Sequence, residues 1–402
     1  MAWQDIKSGA PEIPSPPDLD SQMTAYQHDP RVVMTLDAGG TSFRFSAMRA
    51  NHPVTETFTL PSNGDDLKKC LANLVNGFAH IKKKCPAPPV AISFAFPGPA
   101  DYPAGIIGDL PNLPAFRGGV AMGPMLEQKF RIPVDINNDG GLFVYGEAIA
   151  GFLPYVNGLL EKAGSPKRYK NLFGVTLGTG FGGGFACNGE LFAGDNSNAS
   201  QIWLTRHKLE PQMNAEEGAC IRAVRRIYAK HANIAFEKSP DPRGVEQIAV
   251  GEAPGNRAAA VEAYRRLGEV AGDAMADTLT ILDSLAVIGG GLSKGWRLFL
   301  PALVDELNSN HISPTGNKFR RLPEVAFNLE DPGQMKKFLK GQTHAIAVPG
   351  SSRKIKYDAL QRIGVGISRL GTSQAIAIGA YAFALRHLDQ AREKKSGRPS
   401  KR

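Results

Sequence analysis

Apolar residues in this chain follow two rhythms, and the switches between them set its elements. Residues 31–37 are an unbroken β-branched and apolar run, the pattern of a buried strand, and 42–48 alternate polar with apolar as a returning hairpin strand would. Residues 55–60 predict a third strand. From 65 to 84 the period becomes helical, with Leu67, Leu71, Leu74, Phe78 and Ile81 on one face. A strand over 90–95, a helix over 122–130, a strand over 133–136 and a helix over 142–152 follow. The order β-β-β-α-β-α-β-α predicts a mixed α/β layer fold. Near Asn171 the opening pattern returns: an apolar strand over 172–177, a glycine turn, and a strand over 185–191. This reads as an internal duplication. A long helix over 258–283, a strand over 285–288 and an alanine-rich helix over 373–387 complete the regular part. Between 307 and 366 the pattern fades to one short strand over 345–348 and a basic stretch at 353–356.

Composition narrows the class. At about 150 residues per domain, 402 residues predict two to three domains with room for real cores. The net charge is +9, but residues 392–402 carry six Lys/Arg against one Glu, so +5 of it sits in a tail that reads as a solvated end. No aromatic interleaving accompanies the tail, so no nucleic-acid partner is expected. Cys70, Cys85, Cys187 and Cys220 form no Cys-x-x-Cys pair and read as reduced thiols of a cytoplasmic protein. No signal peptide and no membrane-length apolar run is visible, so no membrane partner is expected. Residues 1–28, rich in Pro, Asp, Ser and Gln, read as a flexible arm.

Three glycine loops each follow a short apolar strand: Asp37-Ala-Gly39-Gly40-Thr41, Gly178-Thr179-Gly180-Phe-Gly182-Gly183 and Gly289-Gly290-Gly291-Leu292. Glycine lets backbone N–H groups approach a phosphate and lets the chain take positive φ, and Thr41 and Thr179 add hydroxyl donors. A single such loop is as readily a plain hairpin turn; three at strand ends point to phosphate binding. Gly178-x-Gly-x-x-Gly183 matches the dinucleotide fingerprint formally, but a strand follows it where that fingerprint needs a helix. No Gly-x-x-x-x-Gly-Lys-Ser/Thr loop is present. Asp139, beside Asn138 between a strand and a helix, is the candidate catalytic base. Its plain reading is a helix N-cap. In phosphoryl transfer a carboxylate there orients the acceptor hydroxyl and takes its proton late. Asp37 would lie beside the β- and γ-phosphates and hold Mg²⁺ through water.

Together these residues resemble the ROK family of sugar kinases and repressors, within the actin/hexokinase-like superfamily. The resemblance runs from about Val33 to Ala384. It rests on Leu36-Asp-Ala-Gly-Gly-Thr41, on Pro97-Gly-Pro-Ala-Asp101 with Pro111-Asn112-Leu-Pro114, and on Asn138-Asp139 with Gly146-Glu147. Leu177-Gly-Thr-Gly-Phe-Gly-Gly-Gly184, Val287-Ile-Gly-Gly-Gly-Leu292 and Leu370-Gly-Thr-Ser-Gln-Ala-Ile-Ala-Ile-Gly-Ala380 complete the order. It implies two ribonuclease H-like α/β domains around an ATP cleft: residues 29–150 with 371–389, and 151–370, followed by a basic tail over 390–402. It further implies transfer of the γ-phosphoryl group of ATP, with Mg²⁺, to a hydroxyl of a sugar or sugar derivative, in a homodimer. Asp139 would be the base, Gly289 to Leu292 would meet the adenosine, and Asn112 and Asn138 would lie at the sugar.

Departures from the family pattern matter as much. The second Asn of its Asn-Asp-x-Asn segment is Gly141 here. Gln201 and Leu204 stand where the family has a sugar-binding Glu and His, and Arg222 falls where it has another Glu. Its zinc segment survives only as Gly218-Ala-Cys220-Ile-Arg222, and one cysteine builds no structural zinc site, so no zinc is expected. With Arg206, His207, Lys208, Arg225 and Arg226 nearby, these changes predict a poor glucokinase that prefers a different acceptor, with an anionic sugar among the options. The plain reading of Arg222 to Arg226 is a solvated helix face. The rival to an enzyme is a non-catalytic sugar-sensing member or a decayed kinase. The stretch ahead of the first strand is too short for a repressor's helix-turn-helix, and Asp37, Asp139 and the glycine loops are all present, which favours the enzyme.

Overall fold

The computed structural model describes residues 26–108 and 114–396. Strands β1 (Val32–Ala38) and β2 (Ser42–Arg49) form the expected hairpin. In place of one strand over 55–60 there are two short ones, β3 (His52–Pro53) and β4 (Phe58–Pro61). Thr55 lies between them and binds β2 through its hydroxyl, which accepts from the Ala47 N–H at 2.9 Å. Helix α1 (Leu67–Lys84) is capped by Asp66, whose carboxylate accepts from the Lys69 N–H, and buries Leu74, Phe78 and Ile81. Then come β5 (Pro89–Ala95), β6 (Ala100–Asp101), β7 (Ile106–Ile107), α2 (Met122–Phe130) and β8 (Val134–Asn137). The first sheet runs β3-β2-β1-β5-β8, with β4 also on β2.

Helix α3 (Asp139–Ala150) starts three residues earlier than its apolar pattern predicts, because Asn138 caps it. Gly151 ends it, and a further helix, α4 (Phe152–Lys162), leads to the second sheet. That sheet opens with the hairpin β9 (Asn171–Leu177) and β10 (Phe181–Cys187), followed by β11 (Glu190–Leu191). Helices α5 (Ile221–Ala232), α6 (Pro242–Val250) and α7 (Arg257–Leu282) precede β12 (Leu285–Gly289) and α8 (Trp296–Leu307). The weakly patterned stretch holds two exposed hairpins, β13 (Asn310–Ile312) with β14 (Lys318–Arg320), and β16 (Thr343–Ala347) with β17 (Lys354–Asp358). It also holds β15 (Val325–Asn328), α9 (Pro332–Lys340) and the buried strand β18 (Arg362–Ile367). The closing helix α10 (Thr372–Ser396) runs nine residues past its expected end at 387, so residues 390–396 of the expected tail are helical. At the other end, Tyr26 is buried in the core and Arg31 bridges Asp29 and Asp389, so the packed fold begins within the expected arm.

The second sheet runs β11-β10-β9-β12-β18-β15. Its first five strands repeat the first sheet's order: an antiparallel hairpin, then two parallel neighbours. The duplication read from the glycine hairpins is therefore a duplication of topology. Helix α10 packs on β1, β5 and β8, while α3 packs on β9 and β10, and the two helices lie against each other between the sheets. One apolar cluster joins Val33 and Ala91 of the first sheet to Leu172 and Val287 of the second through Phe143, Tyr145, Ile378 and Tyr381. The division expected at 150/151 therefore falls behind a packed interface.

The contact of α3 with α10 has no room for side chains at its centre. A Cβ on Gly146 would run into the Ala375 carbonyl, and one on Gly379 into the Leu142 carbonyl. Gly146→Val should therefore force the helices apart. Overpacking of this kind costs roughly 1–3 kcal/mol. The urea midpoint should fall with an unchanged m-value, and a wild-type midpoint would refute the backbone contact.

Candidate active site

Parallel strands deliver their C-terminal ends to one edge of a sheet, where open α/β sheets bind ligands. In the first sheet that edge carries the turn after β1, the loop after β5 and the residues after β8, that is, Asp37 to Thr41, Pro97 to Asp101, and Asn138-Asp139. In the second it carries Gly178 to Gly180 after β9 and Gly289 to Gly291 after β12. Helix α3 brings the two together. Its first turn lies on β10 so closely that a Cβ on Gly140 would sit 2.6 Å from the Gly183 carbonyl oxygen. Asp139, the first residue of α3, is thereby set beside the second glycine motif.

Asp139 is reached by solvent yet has protein on nearly every other side, and this desolvation pushes its carboxyl up from the ordinary aspartate range. Its own Oδ1 accepts from the Gly140 N–H at 2.8 Å, which opposes the shift without cancelling it. The Asn138 side-chain carbonyl is engaged inside the chain. Its Oδ1 accepts from the Gly140 and Gly141 N–H groups at 2.9 and 3.3 Å, and its amide bonds the Tyr102 phenol. Tyr102 in turn donates to the Phe96 carbonyl at 2.8 Å. Burial first, and the Asp139 charge after it, push the Tyr102 hydroxyl up to about 12, against the Asn138 bond. Tyr102 escaped the sequence reading because a loop tyrosine carries no pattern.

The glycine turns differ in how they are held. Ser62 secures the first, its hydroxyl donating to the Gly40 carbonyl at 2.6 Å and its N–H to Thr41 O at 3.1 Å. In the second, Gly178 O accepts from Ile221 N–H at 2.9 Å, Thr179 O from Arg222 at 3.1 Å, and Gly180 O from Gly178 N–H at 3.0 Å. With the carbonyls tied back, the turn's remaining donors among the described residues are the Thr179 and Gly180 amides and the Thr179 hydroxyl. In the third, Gly290 has φ +86°, and a Cβ there would strike the Leu177 carbonyl. Of the expected phosphate-loop glycines it alone takes positive φ. Gly40, Gly178 and Gly291 face open space, where a Cβ would meet nothing. They leave room for close approach by a ligand.

A cavity of about 640 Å³ opens beside the third turn. Gly291, Leu292 and Lys294 form one wall, Glu246 and Gln247 of α6 another, and Tyr264 of α7 contributes to the lining. Its volume lies within the range of small-molecule sites, roughly 300–1,000 Å³. The sequence pointed to Gly291 and Leu292 here, but not to the α6 and α7 residues, which come from distant segments.

The expected acceptor-side residues fare unevenly. Asn112 lies outside the described residues. Gln201 accepts from the Trp203 indole N–H at 2.6 Å, and Leu204 is exposed. Of the cationic residues around Arg222, Arg206 is exposed, whereas Arg222 and Arg226 are tied to carboxylates. Arg222 pairs with Glu216 and Glu217 at 3.2 and 3.0 Å, and Arg226 pairs with Glu217 at 2.9 Å. Arg226 and Arg222 together hold the Glu217 carboxyl below the usual range. Arg225 stacks on Phe236. Glu216 also accepts from the Phe181 N–H at 3.0 Å, so Arg222 and Glu216 buttress the second glycine turn from behind. These carboxylates, five to nine residues from the arginines, are the partners the sequence reading overlooked.

The loop leading to Cys220 is held by hydrogen bonds. His207 is buried, and its Nδ1 accepts from the Leu209 and Glu210 N–H groups at 3.1 and 3.0 Å. Burial lowers its pKa. Lys208 bridges Glu269 and Glu306. Among the described residues no group of three or more His, Cys, Asp or Glu side chains could hold a metal ion, and no helix is long and apolar enough to cross a membrane.

Comparison with known proteins agrees with this architecture. The chain is 28% identical over 280 residues to the N-acetyl-D-glucosamine kinase of Vibrio parahaemolyticus, a match covering 64% of this chain and 84% of that protein. Among solved structures it is similar to the glucokinase of Parabacteroides distasonis, with 51% identity, a TM-score of 0.83, and coverage of 90% of this chain and 99% of that one. A ROK family glucokinase from Streptomyces griseus, solved with glucose and AMPPNP, shares the fold at 16% identity and TM-score 0.54, covering 87% of this chain and 98% of that one. The ROK family model matches residues 33–322, most of the length over which strands, glycine turns and Asn138-Asp139 follow in order, and the chain belongs to the ROK family.

Proposed function

We propose that this ROK protein transfers the γ-phosphoryl group of ATP to a hydroxyl of a neutral hexose or hexose derivative, with Asp139 as the base. The observation that carries the reading is the setting of Asp139: first residue of α3, desolvated, and against the strand that follows the second glycine turn. The similar proteins named as glucokinase and N-acetyl-D-glucosamine kinase support a sugar as acceptor. A neutral sugar is preferred to the anionic option, because Arg222 and Arg226 already have carboxylate partners. A cytoplasmic homodimer completes the reading.

In this reading, the Thr179 and Gly180 amides and the open faces of Gly40 and Gly178 receive the phosphates, and the 640 Å³ cavity receives the nucleoside. Asp37 is exposed at the end of β1 and suits a Mg²⁺ ion held through water, the arrangement common where substrate phosphates supply most ligands. When bound, the ion neutralises phosphate charge. Asp139 accepts a hydrogen bond from the acceptor hydroxyl, orients it towards the phosphoryl group and takes its proton late. A loose transition state needs positioning more than basicity. The raised pKa nevertheless makes Asp139 a better base than an ordinary aspartate.

Asp139→Asn should retain the fold and ATP binding while turnover drops about 10²–10⁴-fold. Because Asp139 works ionised and its pKa is raised, kcat/KM should fall with acid on a limb above the ordinary aspartate value, and the variant's residual rate should lack that limb. A variant with near wild-type turnover removes Asp139 from the mechanism.

Neutral hexoses and 2-acetamido hexoses should give higher kcat/KM than sugar acids or sugar phosphates when ADP release is followed across a panel. An anionic sugar leading that panel would restore a role for Arg222. ATP binding without turnover on any acceptor would favour the sensing member of the family.

The loop before Cys220 should need no zinc. Metal analysis should find none in stoichiometric amount, and a chelator should leave the melting temperature unchanged. Acid should act instead. His207 has a lowered pKa in the fold, so its stabilising share is full above the unfolded histidine value of about 6.5 and is lost as pH falls through the folded value. One zinc per chain would contradict this account.

A further inference from the structure

Glu147 is fully buried near the C-terminal end of α3, and its carboxylate gathers donors from two segments. It accepts from the Phe152 N–H at 2.7 Å, where α4 begins. It also accepts from the Leu370 and Arg369 N–H groups at 3.1 and 3.3 Å and from the Ser368 hydroxyl. The Arg369 guanidinium turns away to Glu330. The charge is thus balanced by hydrogen-bond donors and the start of α4, a costly arrangement unless every donor stays in place. Gly151 accommodates it: a Cβ there would overlap the Glu147 carboxylate.

The placement of these donors is what matters. The chain passes between the sheets twice, at 137–139, where β8 leads into α3, and at 368–371, where β18 leads into α10. Asp139 sits on the first passage. Glu147, at the other end of the same helix, grips the second. Just beyond that grip, the Thr372 hydroxyl accepts from the Gly290 N–H at 2.8 Å, and the Ser368 N–H donates to Ile288 O at 3.0 Å. A continuous set of contacts therefore runs from the third glycine turn through 368–372 and Glu147 into the helix that carries Asp139. At its centre the contact of α3 with α10 is backbone on glycine, and beside it Tyr145 meets Phe383 in an apolar ring contact, whereas Glu147 adds directional hydrogen bonds.

We propose that Glu147 is a positioning residue that locks the register of α3 against α10, and so holds Asp139 in line with the nucleotide side of the cleft. The proposal rests on the kinase reading above. Its test uses the full-length protein with three variants. Glu147→Gln keeps the size but turns one acceptor into a donor facing N–H groups, Gly151→Ala displaces the carboxylate, and Ser368→Ala removes one donor.

With the best sugar of the panel, Glu147→Gln should lose on the order of 10²-fold in kcat. KM for both substrates should stay within about threefold, and the acid limb should shift. Gly151→Ala should behave alike, and Ser368→Ala should lie between these and wild type. Amide hydrogen exchange supplies a readout independent of turnover. In Glu147→Gln, exchange should quicken at 138–141 and 289–291 as well as at 150–152 and 368–371. A wild-type kcat with an unshifted limb, or faster exchange confined to the residues touching Glu147, overturns the proposal. If Glu147→Gln does not fold, wild-type kcat and exchange in both other variants overturn it. Failure of the kinase reading would appear separately, as wild-type protein without sugar-dependent ADP release, and the exchange pattern would still decide the role of Glu147.

Discussion

Everything in this fold that bears on chemistry depends on two helices approaching until their backbones touch. Two sheets of like topology each need an apolar cover on the face they turn inward. Helix α10 covers the first and α3 the second, and Gly146 and Gly379 let the covers merge into one core. An aspartate at the tip of a loop would be placed only as well as the loop. Asp139 is instead the first residue of a helix buried along its length, so its placement follows that of the helix.

The same constraint sorts the glycines into two kinds. Gly140, Gly183, Gly184 and Gly290 lack side chains because other backbone fills the space. Gly140 and Gly184 let α3 lie on β10, Gly183 lets the 200–202 segment lie there, and Gly290 lets the third turn lie on β9. Gly40, Gly178 and Gly291 face open space, and their bareness serves whatever enters the cleft. A reading of glycine loops as uniformly phosphate-seeking merges these roles. Only the second kind leaves room for a ligand, and the first kind keeps that room in place.

Local signals carried much of this into the sequence. The strand hairpins, α1, α2, α7 and the order of the glycine turns follow from period, turn residues and caps, each of which acts within a few residues. The stretch from 307 to 366 resisted because its two hairpins are exposed and need no apolar alternation, while its one long buried strand is disguised. Arg362 opens β18 with a charge that Asp358 neutralises at 2.8 Å, and Gly364 and Gly366 interrupt its β-branched run. Arg222 was misjudged for a related reason. Counting charge along a segment gives a basic patch, whereas ion pairing depends on which carboxylates the preceding turn folds back. Tyr102 and Glu147 show the limit from the other side: their importance comes from partners up to 223 residues away.

Charge placement around the second glycine turn then bears on how the cleft proposed for phosphates can tolerate so many acids. Glu216 and Glu217 would repel a polyanion if they faced it unpaired. Their arginine partners oppose that field, and one of them, Arg222, spends a further donor on the Thr179 carbonyl. The result is a turn whose acceptors are neutralised from behind, leaving N–H groups to meet the ligand. Lysine could not do this alone. Its single ammonium would lack the planar fork with which Arg222 reaches the carbonyl through Nη1 and both carboxylates through Nη2. The arginines that suggested an anionic acceptor thus act on the scaffold, and in the proposed reading anions are met by the turn they support.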